Sequence, residues 1–274
     1  MTAALKITGR YLSVAAVLAV VVLPAYWVVI NSVKTLPELI SPVPTFWPHT
    51  FTLQHYTDLF TQIPFGTYFR NSLVVALAVT GITLALSSLA AYSLYRCRYR
   101  GRELLFEAFM SSYIFPRVLL LIPLYVAFTR LRIIDTLAAL VIVYVTTIAP
   151  FSIWMLRAFF TEVPLELEDA AMVDGAGRFQ VLVRIFLPLT ATGLTALGLY
   201  AFLMSWTEYF FALAFIISGP HKTLPLGMAQ FLQDYSIDWG VLMASSVIIA
   251  IPPVILFAIA GRWFIKGLTA GAIK

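Results

Sequence analysis

The chain has 274 residues, 61% hydrophobic and only 11% charged, with a formal net charge of +5 and a mean hydropathy of +0.92. A soluble domain is about half apolar and about a quarter charged, so this chain cannot cover a water-facing surface, which excludes a soluble enzyme and a disordered chain alike. The one cysteine, Cys97, excludes an internal disulfide framework and a thiolate zinc site.

A membrane-crossing helix needs about 20 mostly apolar residues, because in hydrocarbon the backbone must satisfy its own hydrogen bonds. Six runs meet this requirement, at about 11–30, 72–94, 108–128, 134–156, 189–217 and 241–265. The expected fold is therefore all-α, a polytopic membrane protein with six transmembrane helices, and residues 1–274 form one transmembrane domain. The 21 Phe, 13 Tyr and 6 Trp suit such a protein, with aromatic residues at the interfaces.

Lys6 and Arg10 precede the first run as they would in a signal peptide. That run is too long for a signal-peptide core, and it ends in Trp27, Val28 and Val29 without a small-x-small site, so it reads as a span. Residues 33–69 follow as a proline-rich and aromatic loop with one short helix around 53–60. The third span holds Arg117 just after Pro116, and Pro252-Pro253 predict a kink in the sixth.

Lys and Arg set the orientation. With the N-terminus inside, inner segments hold 12 of the 18 Lys and Arg residues, outer segments hold five, and Arg117 lies within a span. Both termini then face the cytoplasm, and Cys97 stays a free thiol in a reducing compartment. Arg130 and Arg132 stand against the rule. His49, His55 and His221 all map outside and read as solvated loop residues.

The inner loop at 161–188 carries the informative chemistry. Pro164 suits the first turn of a helix, and Glu166, Glu168 and Asp169 complement its dipole. Asp174-Gly175 reads as its end. A second short helix carries an apolar stripe of Phe179, Leu182, Val183 and Phe186, and Pro188 breaks the chain into the fifth span. Periodicity alone allows this loop to lie on lipid headgroups. Inner-leaflet lipids are anionic and attract Lys and Arg, so an acidic helix with small Ala170 and Ala171 is better explained as a docking surface for a basic protein cleft.

Asp169-Ala170-Ala171, three residues, Gly175, nine residues, Ile185, one residue and Leu187-Pro188 are very similar to the EAA loop of ABC importer permeases. Asp169 stands where that family usually has Glu, so the reach is one methylene shorter; Glu168 adjoins it, and either acid is a candidate for the expected ionic contact. The rest of the chain resembles the maltose-type carbohydrate permeases. The resemblance rests on Ser32-Val33-Lys34 with Glu38, Asn71-Ser72, and Ala91-Tyr92 followed by Arg96, Arg98 and Gly101-Arg102. It continues in Asp135-Thr136, Trp206-Thr207-Glu208 and Phe211-Ala212-Leu213. The ending Gly267-Leu268-Thr269-Ala270-Gly271-Ala272-Ile273-Lys274 is similar to that of the shorter of the two membrane subunits.

The resemblance implies a sugar importer subunit in the bacterial or archaeal cytoplasmic membrane, serving an oligosaccharide or disaccharide. Its partners would be a second homologous permease, two ATPase subunits and an external sugar-binding protein, with lipid around them and no nucleic acid. ATP and Mg would belong to the ATPase subunits, this chain holding no cofactor. Glu168, Asp169, Ala170, Ala171, Asp174, Gly175, Ile185, Leu187 and Pro188 would couple to an ATPase groove. The tail at 266–274, with Gly267, Leu268, Thr269, Gly271 and Lys274, would reach between the two ATPase subunits.

The residues themselves agree on one absence: no G-x-x-x-x-G-K-[ST] is present to cradle nucleotide phosphates, and there is no H-E-x-x-H or nucleophile elbow. Candidate pathway residues are Arg117, Trp206, Glu208 and Tyr209. Glu208 lies about 28 Å from the inner end of its span at helical rise. Arg117 or Glu208 could line a polar cavity, and Trp206 or Tyr209 could stack on a sugar ring. Alternatively, Arg117 pairs with an acid or with backbone carbonyls between helices, and Glu208 is an interfacial charge. The competing functions are an ABC permease for another solute, such as glycerol phosphate, and a stand-alone secondary transporter. The latter would need repeated halves and midplane ion sites, which the sequence does not show.

Overall fold

The computed structural model describes residues 2–234 and 238–271, with side chains for 10–230, 232 and 238–261. Among these, every regular element is helical apart from one isolated antiparallel bridge, Lys34–Phe51. In chain order the α-helices are α1 (Thr2–Asn31), α2 (Leu36–Leu39), α3 (Gln54–Gln62), α4 (Phe65–Arg96), α5 (Arg102–Ile114), α6 (Arg117–Arg130) and α7 (Leu137–Thr161). They continue as α8 (Leu165–Val173), α9 (Arg178–Val181), α10 (Leu187–Leu189), α11 (Ala191–Trp206), α12 (Phe210–Phe215), α13 (Leu224–Asp234) and α14 (Trp239–Gly271).

Four helical stretches are long and apolar enough to cross a membrane singly: Arg10–Asn31, Phe65–Arg96, Leu137–Thr161 and Trp239–Gly261. Two bent helix pairs are long and apolar enough only when each is taken together, Arg102–Ile114 with Arg117–Arg130 at 101° and Arg178–Leu189 with Ala191–Trp206 at 84°. The chain is thus an all-α polytopic membrane protein, and two of the six expected spans are not straight rods. The third, expected over 108–128 with Pro116 opening its backbone, breaks at Phe115 and Pro116. The residue before a proline is driven out of the helical region, and Phe115 sits at φ −65°, ψ 131°. The fifth, expected to reach 217, ends as a helix at Trp206. Glu208 then accepts hydrogen bonds from the Phe211 and Ala212 N–H groups (2.9 and 3.3 Å) and starts a new helix, α12. The sixth stays helical through Pro252 and Pro253.

The backbone divides into two compact units. The first comprises Met1–Gly66 with Ala229–Pro252. Lys34 is 2% exposed there, its amino group donating to the Thr45 carbonyl and lying 4.8 Å from the Trp27 ring centroid. Glu38 accepts from the Thr45 hydroxyl (2.6 Å) and from the His49 N–H, so the Thr45 bond first, with His49, holds its pKa below the usual carboxylate value. The expectation of solvated histidines fails at His55, which is 5% exposed with Nε2 2.8 Å from the Lys34 carbonyl. The helix α3 turns it inward beside Leu59.

The second unit comprises Thr67–Met228 with Pro253–Lys274. Its larger core packs Val75 and Val79 of α4, Leu140, Val143, Tyr144 and Ile148 of α7, and Phe211 and Phe215 of α12. Helices α7 and α11 approach so closely that a Cβ on Gly193 would lie 2.5 Å from the Phe159 ring. Asp135, at φ +60°, staples the turn before α7 to the end of α12. Its carboxylate accepts from the Ile217 and Ser218 N–H groups (both 2.9 Å), and its own N–H donates to the Phe215 carbonyl (2.9 Å). Burial raises the Asp135 pKa, but the Ser218 and Ile217 donors outweigh it and leave the carboxyl below its usual value.

Candidate functional site

The loop at 161–188 folds as an elbow. Past α7, Val163 is buried and Pro164 sits extended at the N-cap of α8. Ending α8 requires a left-handed residue, which Gly175 supplies at φ +85°. The Gly175 N–H reaches the Met172 carbonyl (3.1 Å) and the Ala176 N–H reaches that of Ala171 (2.9 Å), the paired bonds of a Schellman turn. A Cβ at Gly175 would meet nothing within 4 Å in this chain, so the position is restricted here by backbone conformation alone.

The acids of α8 divide by face. Glu168 is 3% exposed: the Tyr92 hydroxyl donates to its Oε1 (3.0 Å) and Arg96 Nε donates to its Oε2. The Asp169 side chain is 73% exposed, with Oδ1 3.8 Å from the other arm of Arg96. The sequence left the two acids interchangeable; the fold commits Glu168 to the end of α4 and leaves Asp169 outward beside exposed Ala170. Behind the ion pair, Phe186 is fully buried with edge-on contacts to Tyr92 (5.1 Å) and Phe160 (5.3 Å). Removing one partner of a buried ion pair costs about 3–5 kcal/mol, so Arg96 and Glu168 fix where α8 stands.

The expected stripe of Phe179, Leu182, Val183 and Phe186 is only half realised. Leu182–Phe186 form a π-helical turn, whose wider repeat brings Val181, Leu182 and Phe186 to the core. Phe179 (67%) and Val183 (43%) are exposed instead. The chain does not break at Pro188, which lies within α10; the bend follows at Thr190. Ile185 and Leu187 are half-buried and Pro188 is exposed. Together α8, the Gly175 turn and the π-helical turn enclose an open cleft of about 370 Å³ lined by Ala171, Asp174, Gly175, Gln180, Arg184 and Ile185. The elbow thus presents three outward acids, Glu166, Asp169 and Asp174, with small side chains and a glycine turn above a rigid footing.

The four pathway candidates are not brought together as one cluster. Trp206 is 2% exposed, stacked on Phe202 (5.5 Å, 15°) and edge-on to Phe69 (5.5 Å), so it is a core residue and not a free sugar platform. Glu208 caps α12 and accepts from the Tyr144 hydroxyl, so its oxygens are engaged within the chain. Tyr209 is half-buried against the larger core. Arg117 is exposed at the third-span break, and its side chain and that of Tyr113 interact with Tyr200. In the tail, the backbone of Gly267, Leu268, Thr269 and Gly271 continues α14, while their side chains and the whole of Lys274 lie outside the described residues. Sequence reasoning missed the Tyr92–Arg96–Glu168 anchor. The available signal was Arg96 at the end of the second span, a cation with the charge to pair an acid of α8.

Known proteins align with this arrangement along most of the chain. The family described as binding-protein-dependent transport system inner membrane component matches residues 81–270. The inner membrane ABC transporter permease protein YcjP of Escherichia coli (strain K12) is 39% identical over 268 residues, covering 97% of this chain and 96% of that protein. The trehalose/maltose transport system permease protein MalG of Thermococcus litoralis is 35% identical over 255 residues, covering 92% and 91%. A chain in the crystal structure of a bacterial ABC transporter importing the acidic polysaccharide alginate superposes with a TM-score of 0.83, at 19% identity, over 94% of this chain and 97% of that one. That superposition shows a shared fold.

Proposed function

The chain belongs to the inner membrane components of binding-protein-dependent transport systems, and on that basis we propose that it is a permease subunit of an ATP-driven sugar importer. With a second, homologous permease it forms the pathway for an oligosaccharide or disaccharide that an external binding protein delivers. ATP and Mg bind and react on two separate ATPase subunits at the cytoplasmic face, where both termini of this chain also lie. The trehalose/maltose permease among its relatives supports the sugar assignment.

The observation that carries this reading is the elbow: Asp169, Ala170 and Gly175 face outward while Glu168 is tied to α4 by Arg96 and Tyr92. A helix so footed moves as one piece with the inner ends of α4 and α7. Closure of the ATPase dimer against the outward face therefore tilts the spans. Gly175→Arg leaves the chain inserted but abolishes transport-coupled ATP hydrolysis, because the added side chain meets the docking partner. The test is to purify the chain from its native membrane with whatever accompanies it, then add a sugar-loaded binding protein. Accelerated ATP hydrolysis supports the reading, and uphill sugar transport by the isolated chain would sink it. A permease for another solute, such as glycerol phosphate, is a second reading favoured by the exposed Arg117; competition uptake assays separate the two.

A further inference from the structure

Resting on the saccharide-importer reading, we propose that the break between α5 and α6 carries a binding subsite for an acidic saccharide. Arg117 is its cation, and Tyr113, Phe151 and Tyr200 are its ring-stacking and hydroxyl-bonding wall.

Three observations converge on this cluster. The first is charge. Among the described residues no carboxylate lies within ion-pair distance of Arg117. It is the first residue of α6, whose first turn contains no acid, so the guanidinium sits on the positive end of the helix dipole. The second is depth. Phe151 is the fifteenth of the 25 residues of α7, and Tyr200 the tenth of the 16 of α11, so the groups around Arg117 lie near the middle of these helices. An ionised side chain at that depth faces the bundle interior or a water-filled cavity and marks a solute path.

The third is the aromatic wall. Phe151 packs 4.6 Å from Tyr200, 5.8 Å from Tyr113 and 5.6 Å from Trp154, which gathers rings from α5, α7 and α11. Tyr113 (44%) remains substantially exposed, unlike Trp206 of the core. Rings with a polar tip present an apolar face and a hydrogen-bonding edge together, which matches the C–H faces and hydroxyls of a pyranose. A neutral sugar would leave the Arg117 charge uncompensated, and a small inorganic anion would leave the rings without a partner. A saccharide bearing a carboxylate satisfies both.

The test uses the purified complete membrane assembly without its binding protein, titrated calorimetrically with digalacturonate, maltose or inorganic phosphate. Wild type is expected to bind digalacturonate more tightly than maltose. Arg117→Gln is expected to weaken digalacturonate by about tenfold to a hundredfold, the factor of a charge-assisted hydrogen-bonded pair. Arg117→Lys retains most of that affinity, which separates loss of charge from loss of fold, and Tyr113→Leu weakens both saccharides. Equal affinity of wild type for digalacturonate and maltose, or identical digalacturonate binding by wild type and Arg117→Gln, overturns the subsite. Phosphate binding as tight as digalacturonate overturns its saccharide character. Stimulation of ATP hydrolysis by the binding protein is measured independently, so these failures leave the importer assignment standing.

Discussion

The two bent helix pairs treat charge in opposite ways. At the elbow, where the chain turns by 84°, the acid nearest the core is paired with Arg96, hydrogen-bonded by Tyr92 and backed by Phe186. At the third-span break, where the chain turns by 101°, Arg117 has no acidic partner among the described residues and is exposed. A paired, buried charge is scaffold, because losing one partner leaves the other stranded; an unpaired charge at membrane depth awaits something from outside the chain. The largest expected effect follows. Glu168→Ala or Arg96→Ala should destabilise the assembly by about 3–5 kcal/mol, whereas Arg117→Ala should cost about 1 kcal/mol or less. Replacing both partners, Arg96→Met with Glu168→Leu, should recover much of the loss. Thermal unfolding in detergent decides it, and equal penalties at the two bends would erase the distinction.

A smaller effect separates the footing of the elbow from its outward turn. Gly175 adopts φ +85° with no side chain near its missing Cβ. Gly175→Ala should therefore cost about 1–2 kcal/mol from left-handed strain, and Gly175→Asn less, because Asn tolerates that region. If Ala and Asn were equivalent in thermal unfolding, the turn would not be what restricts the position. Coupled ATP hydrolysis in the Asn variant then reports whether the docked partner also excludes a side chain there.

Much of this was legible beforehand because the strongest signals are local. Six apolar runs, the Asp174-Gly175 helix end and the acids of α8 are each written in a few adjacent residues. What escaped was set by tertiary partners. Nothing within α8 states that Glu168 faces Tyr92 and Arg96, 76 and 72 residues away in sequence. The stripe through Phe179 assumed an α-helical period that the π-helical turn at Leu182–Phe186 interrupts. Trp206 was offered as a sugar platform because aromatic residues serve both cores and sites, and only Phe69 and Phe202 packing against it decides between them. Pro116 did announce a break, but not its 101° extent.

The smallest predicted effect lies at neither bend and tests whether a carboxylate held by backbone donors behaves as scaffold too. Asp135 holds the Ile217 and Ser218 N–H groups, with His221 Nδ1 3.7 Å away. Its pKa in the fold lies below the ordinary value of 3.8. A carboxyl whose pKa is lowered by folding stabilises fully above its unfolded value and loses that contribution as pH falls through the folded one. The staple should therefore hold at neutral pH and loosen only in acid below the usual Asp range. Asp135→Asn cannot titrate, so its thermal midpoint should lie below wild type at pH 7, and the gap should narrow as the pH drops below 3.8. A gap that stays constant down to acid unfolding would mean that the geometry of the turn, held by the Asp135 N–H to the Phe215 carbonyl, matters there and the charge does not.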